Sequence, residues 1–352
     1  MKIKLAVLEK DIAYLNRLVT AFSTKYADKF EIYSFTDKEV AIRALEEIKA
    51  EVLICDDTFD INVKELPARC GFAYLVNSAD IETVRDQRAI CKFQKADLIY
   101  KQILSIYSEN ASAITGLKMT EDHCRLVAFG SPSGGVGSST MAAACALHFA
   151  AQHKKVLYLN LEPFGSADAF FSAEGLFDMS DIVFALKSKK ANLSLKLESC
   201  VKQDNRGVFF YSAPKVALDI MELNTDDKLR LISEAKLMGS YDYIIVDHHF
   251  ALDKDTLKVL RQMHEVILVG DGSEISNNKI IRAINALNIL EQNEDSSLAS
   301  RTSIIYNKFS NKTGKAIDSL NINSIGGAPR FEHATVEQIL SQLSANEMFD
   351  KI

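Results

Sequence analysis

The chain has 352 residues, enough for two domains, with nearly half of them apolar and a quarter charged, the balance of a globular protein that buries a core. A formal net charge of -6 argues against a nucleic-acid binder, which usually carries a basic surplus. Six cysteines lie far apart without a CxxC pair, and no secretory leader or membrane-length apolar run is visible, so free thiols in a reducing cytoplasm are expected.

Along the first hundred residues, short apolar runs bounded by charges read as strands: IKLAVLE (3–9), FEIYSF (30–35), EVLICDD (51–57) and FAYLVNS (72–78). DIAYLNRLVTAFSTKY and DKEVAIRALEEIKA fall between them with helical periodicity. That alternation predicts an α/β unit with a mostly parallel, doubly wound sheet and helices on both faces over residues 1–108. Residues 109–122 are polar and aperiodic, the expected linker. A second, larger α/β unit is expected over 123–352. Its strands are CRLVAFG (124–130), KKVLYLNLE (154–162), GVFFYSAP (207–214), YDYIIVDHH (241–249), HEVILVGDG (264–272) and RTSIIYNKF (301–309).

The second unit opens with FGSPSGGVGSSTMAAA (129–144), a strand, a glycine turn and a helix former. Such a turn aims backbone N–H groups and a helix N-terminus at an anion. Gly134, Gly135 and Gly137 let the main chain, through Val136, curl around phosphates where a Cβ would intrude. Ser139 stands where these loops place the hydroxyl that ligates Mg²⁺, with Ser138 before it and Thr140 after it. Three residues depart from the full motif: Pro132 replaces a glycine, Ser138 the loop lysine, and Ser133 the second lysine of the deviant form. One lost charged hydrogen bond weakens binding by roughly 1.5–3 kcal/mol. A lost transition-state cation slows phosphoryl transfer by roughly 10³–10⁵. ATP or ADP binding is therefore expected to survive these changes better than hydrolysis.

Asp247 ends the apolar strand YIIVD, the position of a carboxylate that holds Mg²⁺ through water, although an aspartate there also reads as a turn or cap. Glu162 follows the preceding strand, where a carboxylate can orient an attacking water. His248 and His249 are adjacent, so on an extended strand they face opposite ways and form no two-histidine metal grip.

These segments resemble the MinD/ParA group of deviant Walker-A ATPases. The two-domain order more closely resembles the TadZ/CpaE family of pilus-assembly localisation proteins. SGGVGSST (133–140) is similar to the family's KGGVGKTT. NLEPFG (160–165) is similar to its DxDxxG segment, with Asn160 and Glu162 in place of aspartates. IIVDHHF (244–250) keeps the Walker-B aspartate, and VILVGDGSEISNNK (266–279) follows as in the family. The resemblance implies that Asn307 in IIYNKF hydrogen-bonds adenine and that Pro329 and Arg330 in IGGAPRFEHA line the base. It also implies a nucleotide-sandwich homodimer, whose cross-subunit lysine is here Ser133.

The first half resembles a response-regulator receiver. The resemblance places a phosphoacceptor at Asp56 (or Asp57), with Glu9-Lys10 in place of an acidic pair, Asp11 following, Asn77 in place of a hydroxyl and Lys95 as the phosphate lysine. Lys10 would repel the required metal. A docking or dimerisation module is therefore preferred, and a phosphorylation-controlled regulator using Asp56 is an alternative.

Lys187, Lys189, Lys190 and Lys196 gather in 184–199, either as a solvated helix end or as a surface for anionic partners. In the C-terminal VEQILSQLSANEMF, Val336, Ile339, Leu340 and Leu343 form one stripe, expected to pack on the domain rather than to enter a membrane. The resulting expectation is an ATP-binding, dimer-forming, cytoplasmic protein that helps place a Tad-type pilus or secretion apparatus, at a cell pole or a membrane-associated complex. Its partners are then pilus or secretion assembly proteins, with no nucleic acid and no direct membrane insertion. The catalytic alternative is a working MinD/ParA-type ATPase with Glu162 orienting water and Lys308, or a lysine of 187–196, replacing the missing cations.

Overall fold

The computed structural model describes residues 2–110, 123–165, 167–188, 192–291, 298–320 and 322–352. The bulk of the expected linker, 111–122, and Lys189 and Lys190 lie outside the described residues. The chain forms two compact units, Met1–Gly116 with Ser188–Cys200, and Leu117–Lys187 with Val201–Ile352.

In the first unit, β1 (Ile3–Leu8), α1 (Ile12–Lys25), β2 (Phe30–Phe35), α2 (Lys38–Ile48) and β3 (Val52–Asp56) follow one another. β4 (Gly71–Val76), β5 (Thr83–Val84), β6 (Gln87–Cys91) and α3 (Ala96–Asn110) complete its N-terminal part. Asp11 starts α1 by accepting from the Ala13 and Tyr14 amides, and Asp37 starts α2 through the Val40 amide. The sheet order is β2-β1-β3-β4-β6-β5, parallel except where β5 turns back on β6. α1 and α3 cover one face, burying Leu5, Val7, Ile54 and Leu75. The opposite face is covered more thinly than a doubly wound sheet predicts. There α2 is joined by Ile61 and Leu66 from the 57–70 connection, whose only helical turn among the described residues is Val63–Glu65.

The second unit contains β7 (Arg125–Gly130), α4 (Ser138–Ala151), β8 (Val156–Asn160) and α5 (Met179–Ser188). After α6 (Leu193–Cys200) come β9 (Lys202–Gln203), β10 (Phe209–Phe210), α7 (Leu218–Met221) and α8 (Thr225–Leu237). β11 (Tyr243–Asp247), α9 (Lys254–Leu260), β12 (Glu265–Gly270), α10 (Glu274–Leu290), β13 (Thr302–Phe309), β14 (Asn323–Pro329) and α11 (Val336–Ser344) complete it. The sheet order is β14-β13-β12-β7-β11-β8-β10-β9, parallel except for β9. Its central strands are apolar between polar end residues because helices cover both faces. α4 is the most enclosed helix: Met141 to Ala146 are fully buried, which the alanine run permits by letting the helix lie close to the sheet. α11 seals α4 with Leu340 and Leu343, and Ile339 packs at the edge of that core, whereas Val336 is 48% exposed and lies outside it. No helix among the described residues is long and apolar enough to cross a membrane.

α6 belongs to the first unit although it lies well inside the second half of the sequence. Its Lys196 is buried and donates to Ser105 Oγ at 2.9 Å, and Glu198 accepts from Tyr100 and Lys29. Lys187 pairs with Asp227 at 2.6 Å. Lys187 and Lys196 thus fall in different units, each with a partner inside its own unit.

Candidate functional site

The glycine loop leaves β7 at the carboxyl end of the sheet, the side where open parallel sheets bind ligands. Ser131 Oγ donates to Val269 O at 2.6 Å and accepts from the Ser133 amide at 3.0 Å, pinning the loop's entry. Gly135 (φ +79°) and Gly137 (φ +86°) take the left-handed conformation, and α4 starts directly afterwards. A Cβ added at Gly134 or Gly135 would meet no heavy atom within 4 Å, so these amides border open space. Gly137 is different: a Cβ there would stand 2.5 Å from Asn307 Nδ2. Ser138, Ser139 and Thr140 form the first turn of α4 and are half-buried, while Val136 is anchored in the core. Ser133 is buried at the lysine position.

Asp247 lies at the end of β11, next to β7, and is completely buried. The parallel register sets Asp247 beside Asn160 of β8. Asp247 Oδ2 accepts from Tyr158 Oη at 2.7 Å and from Asn160 Nδ2 at 3.3 Å. Oδ1 has no hydrogen-bond partner among the described residues. Burial pushes the Asp247 pKa up to about 7, and the nearby Glu162 charge pushes the same way; the Tyr158 and Ser139 hydroxyls pull against it. A buried carboxylate with one bare oxygen beside a hydroxyl fits a hard cation such as Mg²⁺, whose ligands are oxygens. Glu162 is held next to this group by its own amide, which donates to Asn160 Oδ1 at 3.0 Å.

Asn307 and Lys308, at the end of β13, both turn to the glycine loop. Asn307 is buried and its Nδ2 donates to Val136 O at 2.8 Å; Lys308 Nζ donates to Gly135 O at 2.8 Å. Pro329 instead lines a pocket of about 370 Å³ with Tyr306, Phe309 and Asn311. Asn307 and the exposed Arg330 are not among that pocket's lining residues.

His248 and His249 do not face opposite ways. The strand ends at Asp247, and the two rings stack with centroids 4.3 Å apart. The buried His248 Nδ1–H donates to His249 O at 2.6 Å, and burial pushes its pKa down to about 4, so it is neutral. Both rings line a pocket of about 460 Å³ with Lys228 and Asp253. No group of three or more metal-ligating side chains occurs among the described residues.

In the first unit, the lysine beside Asp56 is Lys92, not Lys95. β6 ends at Cys91, and Lys92 is buried with its ammonium against Asp56 Oδ2 and 2.8 Å from Glu9 Oε2. Lys95 is exposed at the start of α3. Asp56 Oδ1 accepts from the Thr58 amide at 3.0 Å and from its hydroxyl. Burial presses the Asp56 pKa upward, but the hydrogen bonds from Lys92 and Thr58 outweigh it and hold the carboxyl below the usual range. Lys10 is exposed, 5.9 Å over the Phe59 ring, and the cation that occupies the acidic pocket is Lys92. Asp11 caps α1 instead of pairing with Glu9. Asn77 is exposed.

A glycine turn leading from β7 into α4, with a buried carboxylate at the neighbouring strand's end, gives the larger unit the layout of a P-loop α/β domain. The smaller is a receiver-like domain whose acidic pocket is closed by a lysine. Residues 1–108 match the family model described as TadZ-like, receiver domain. The larger unit has the fold of the ParA-family ATPase from Chlorobium tepidum TLS, with TM-score 0.50 and 24% identity over 64% of this chain and 94% of that one. Together they give the two-domain order of TadZ/CpaE-like proteins. Also similar are MinD complexed with Mg-ADP from Pyrococcus horikoshii OT3 (TM-score 0.49, 14% identity, 63% and 94% covered) and a putative plasmid partition protein bound to AMPPNP from Borrelia burgdorferi B31 (0.47, 16%, 64% and 94%). No curated protein matches the sequence.

Proposed function

We propose that the chain binds ATP or ADP with Mg²⁺ and acts as a dimer-forming localisation and assembly protein for a Tad-type pilus or secretion apparatus. The observation that carries the nucleotide reading is the buried Asp247 Oδ1, without a hydrogen-bond partner among the described residues, at the end of the strand next to the one that opens into the glycine loop. Amides of 134–139 would hold phosphates, and Ser139 and Asp247 would hold Mg²⁺. Bound Mg²⁺ neutralises phosphate charge and favours the ionised carboxylate. The TadZ-like match over 1–108 supports the localisation role. Hydrolysis is slow or absent because neither Ser133 nor Ser138 supplies a cation fixed in the loop for the transition state, a deficit of roughly 10³–10⁵ in rate that a lysine reaching in from elsewhere to bind phosphate does not make good.

Calorimetric titration of Mg·ATP into the full chain tests this reading. Saturable binding below millimolar concentration, lost in Asp247→Ala, is expected, together with a shift toward dimer in sedimentation velocity. No heat at millimolar Mg·ATP would refute it.

A further inference from the structure

The missing loop lysines leave the phosphates without a side-chain cation, and the end of β13 brings one. The β13–β14 register slips between Tyr306 and Phe309, and within that slip Lys308 takes the left-handed conformation, φ 58°. Irregularities of this kind re-aim a side chain, and strained backbone persists where its surroundings hold it. Here the result is that Lys308 Nζ lies 2.8 Å from Gly135 O, while the neighbouring Asn307 locks Val136 O from below. A neutral carbonyl is a modest partner for an ammonium. The Nζ keeps two further protons for other acceptors, and charged phosphate oxygens are stronger ones. Lys308 is exposed, so it can exchange partners without unpacking the core. The bare Oδ1 of buried Asp247 is the independent sign that this loop faces a charged ligand.

We infer that Lys308 is the phosphate-binding cation of this site, delivered from the end of β13 in place of the loop lysine that Ser138 lacks. Its bond to Gly135 O is the resting contact, exchanged for a phosphate oxygen when nucleotide enters. The inference rests on the nucleotide reading above and adds how the site restores its charge.

Calorimetry with Mg·ATP, Mg·tripolyphosphate and adenosine, on wild type, Lys308→Gln, Lys308→Arg and Lys308→Gln combined with Ser138→Lys, tests it. Lys308→Gln should lose about 10- to 100-fold in affinity for the two phosphate ligands, the worth of one charged hydrogen bond, and none for adenosine. Ser138→Lys should restore most of the loss, and Lys308→Arg should retain binding. Melting curves without ligand should coincide for wild type and Lys308→Gln. Wild-type Mg·ATP affinity in Lys308→Gln would overturn the inference and leave the nucleotide reading intact. So would an equal loss for adenosine, which would make Lys308 a brace for the loop. A wild type that binds no Mg·ATP would remove both.

Discussion

Tyr158 and Asp247, on the neighbouring strands β8 and β11, share a hydrogen bond of 2.7 Å inside the sheet, and that bond leaves only one carboxylate oxygen of Asp247 without a partner. The carboxyl is held for a ligand at a cost to the free protein. Between the usual aspartate value of 3.8 and about 7, folded Asp247 keeps a proton that the unfolded chain has released. Rising pH therefore favours unfolding across that window, and the loss is complete above it. Asp247→Asn should abolish this slope and melt higher than wild type at pH 8 without Mg²⁺, by on the order of a few kcal/mol. Adding Mg·ATP should then stabilise wild type and leave Asp247→Asn unchanged. Thermal melts at pH 5 and pH 8 decide it; parallel pH slopes for both proteins would sink the assignment.

Tyr158→Phe isolates the hydrogen bond. The ring is fully buried, 5.1 Å from Phe171 between centroids, and its packing survives the substitution. Removing the hydroxyl strips away a bond that favours the ionised carboxylate, so the Asp247 pKa rises further. Mg·ATP affinity at pH 7 should fall about 10-fold, the scale of one charged hydrogen bond, and recover as the buffer is made more alkaline. Calorimetry from pH 6 to pH 9 reads the shift. A uniform loss at every pH would mean that Tyr158 acts on the shape of the site alone.

Much of this architecture is legible because continuous apolar runs mark buried parallel strands: VLIC within EVLICDD marks β3, and YIIVD coincides with β11. β6, QRAIC, and β14, NSIGGAP, escape the same reading because polar and glycine residues interrupt them. Missing β6 is what displaces the receiver lysine from Lys92 to Lys95. The cradle glycines and Asp247 are visible as local patterns. The Tyr158 bond depends on the β8–β11 register, and the Lys308 contact on a slip in the β13–β14 ladder. Neither is written in any one segment, although Tyr158 and Asn160, two apart on a strand, share a face.

Asn307 admits two roles with different chemistry. The family pattern gives it adenine, whereas its Nδ2 here holds Val136 O under Gly137. If the brace dominates, Asn307→Ala loosens the loop and weakens Mg·tripolyphosphate and Mg·ATP by the same factor, about 10-fold for the loss of a buried hydrogen bond. If the base contact dominates, tripolyphosphate binding is untouched. The observed 2.8 Å bond predicts the first result, and competition titrations with the two ligands distinguish them.

Lys92 offers the sharpest test of the receiver-like unit. Glu9 and Asp56 are both buried, and the Lys92 ammonium stands against each of them. Lys92→Met leaves two carboxylates facing each other without a cation, and should destabilise the full chain by roughly 3–5 kcal/mol at pH 7. The pH response should also change sign. In wild type, Asp56 is held below the usual carboxylate range, so its contribution is present at neutral pH and is lost as pH falls through that lowered value. In Lys92→Met, burial presses on the Asp56 carboxyl with no ammonium to oppose it, so acidification to pH 4 neutralises it and narrows the gap to wild type. With Oδ2 of Asp56 taken by Lys92 and Oδ1 by Thr58, acetyl phosphate should leave no label on wild type. A label that disappears in Asp56→Ala would show that Lys92 yields to phosphorylation. Melts that separate further at pH 4 than at pH 7 would mean that Lys92 is not the counter-charge of this pocket.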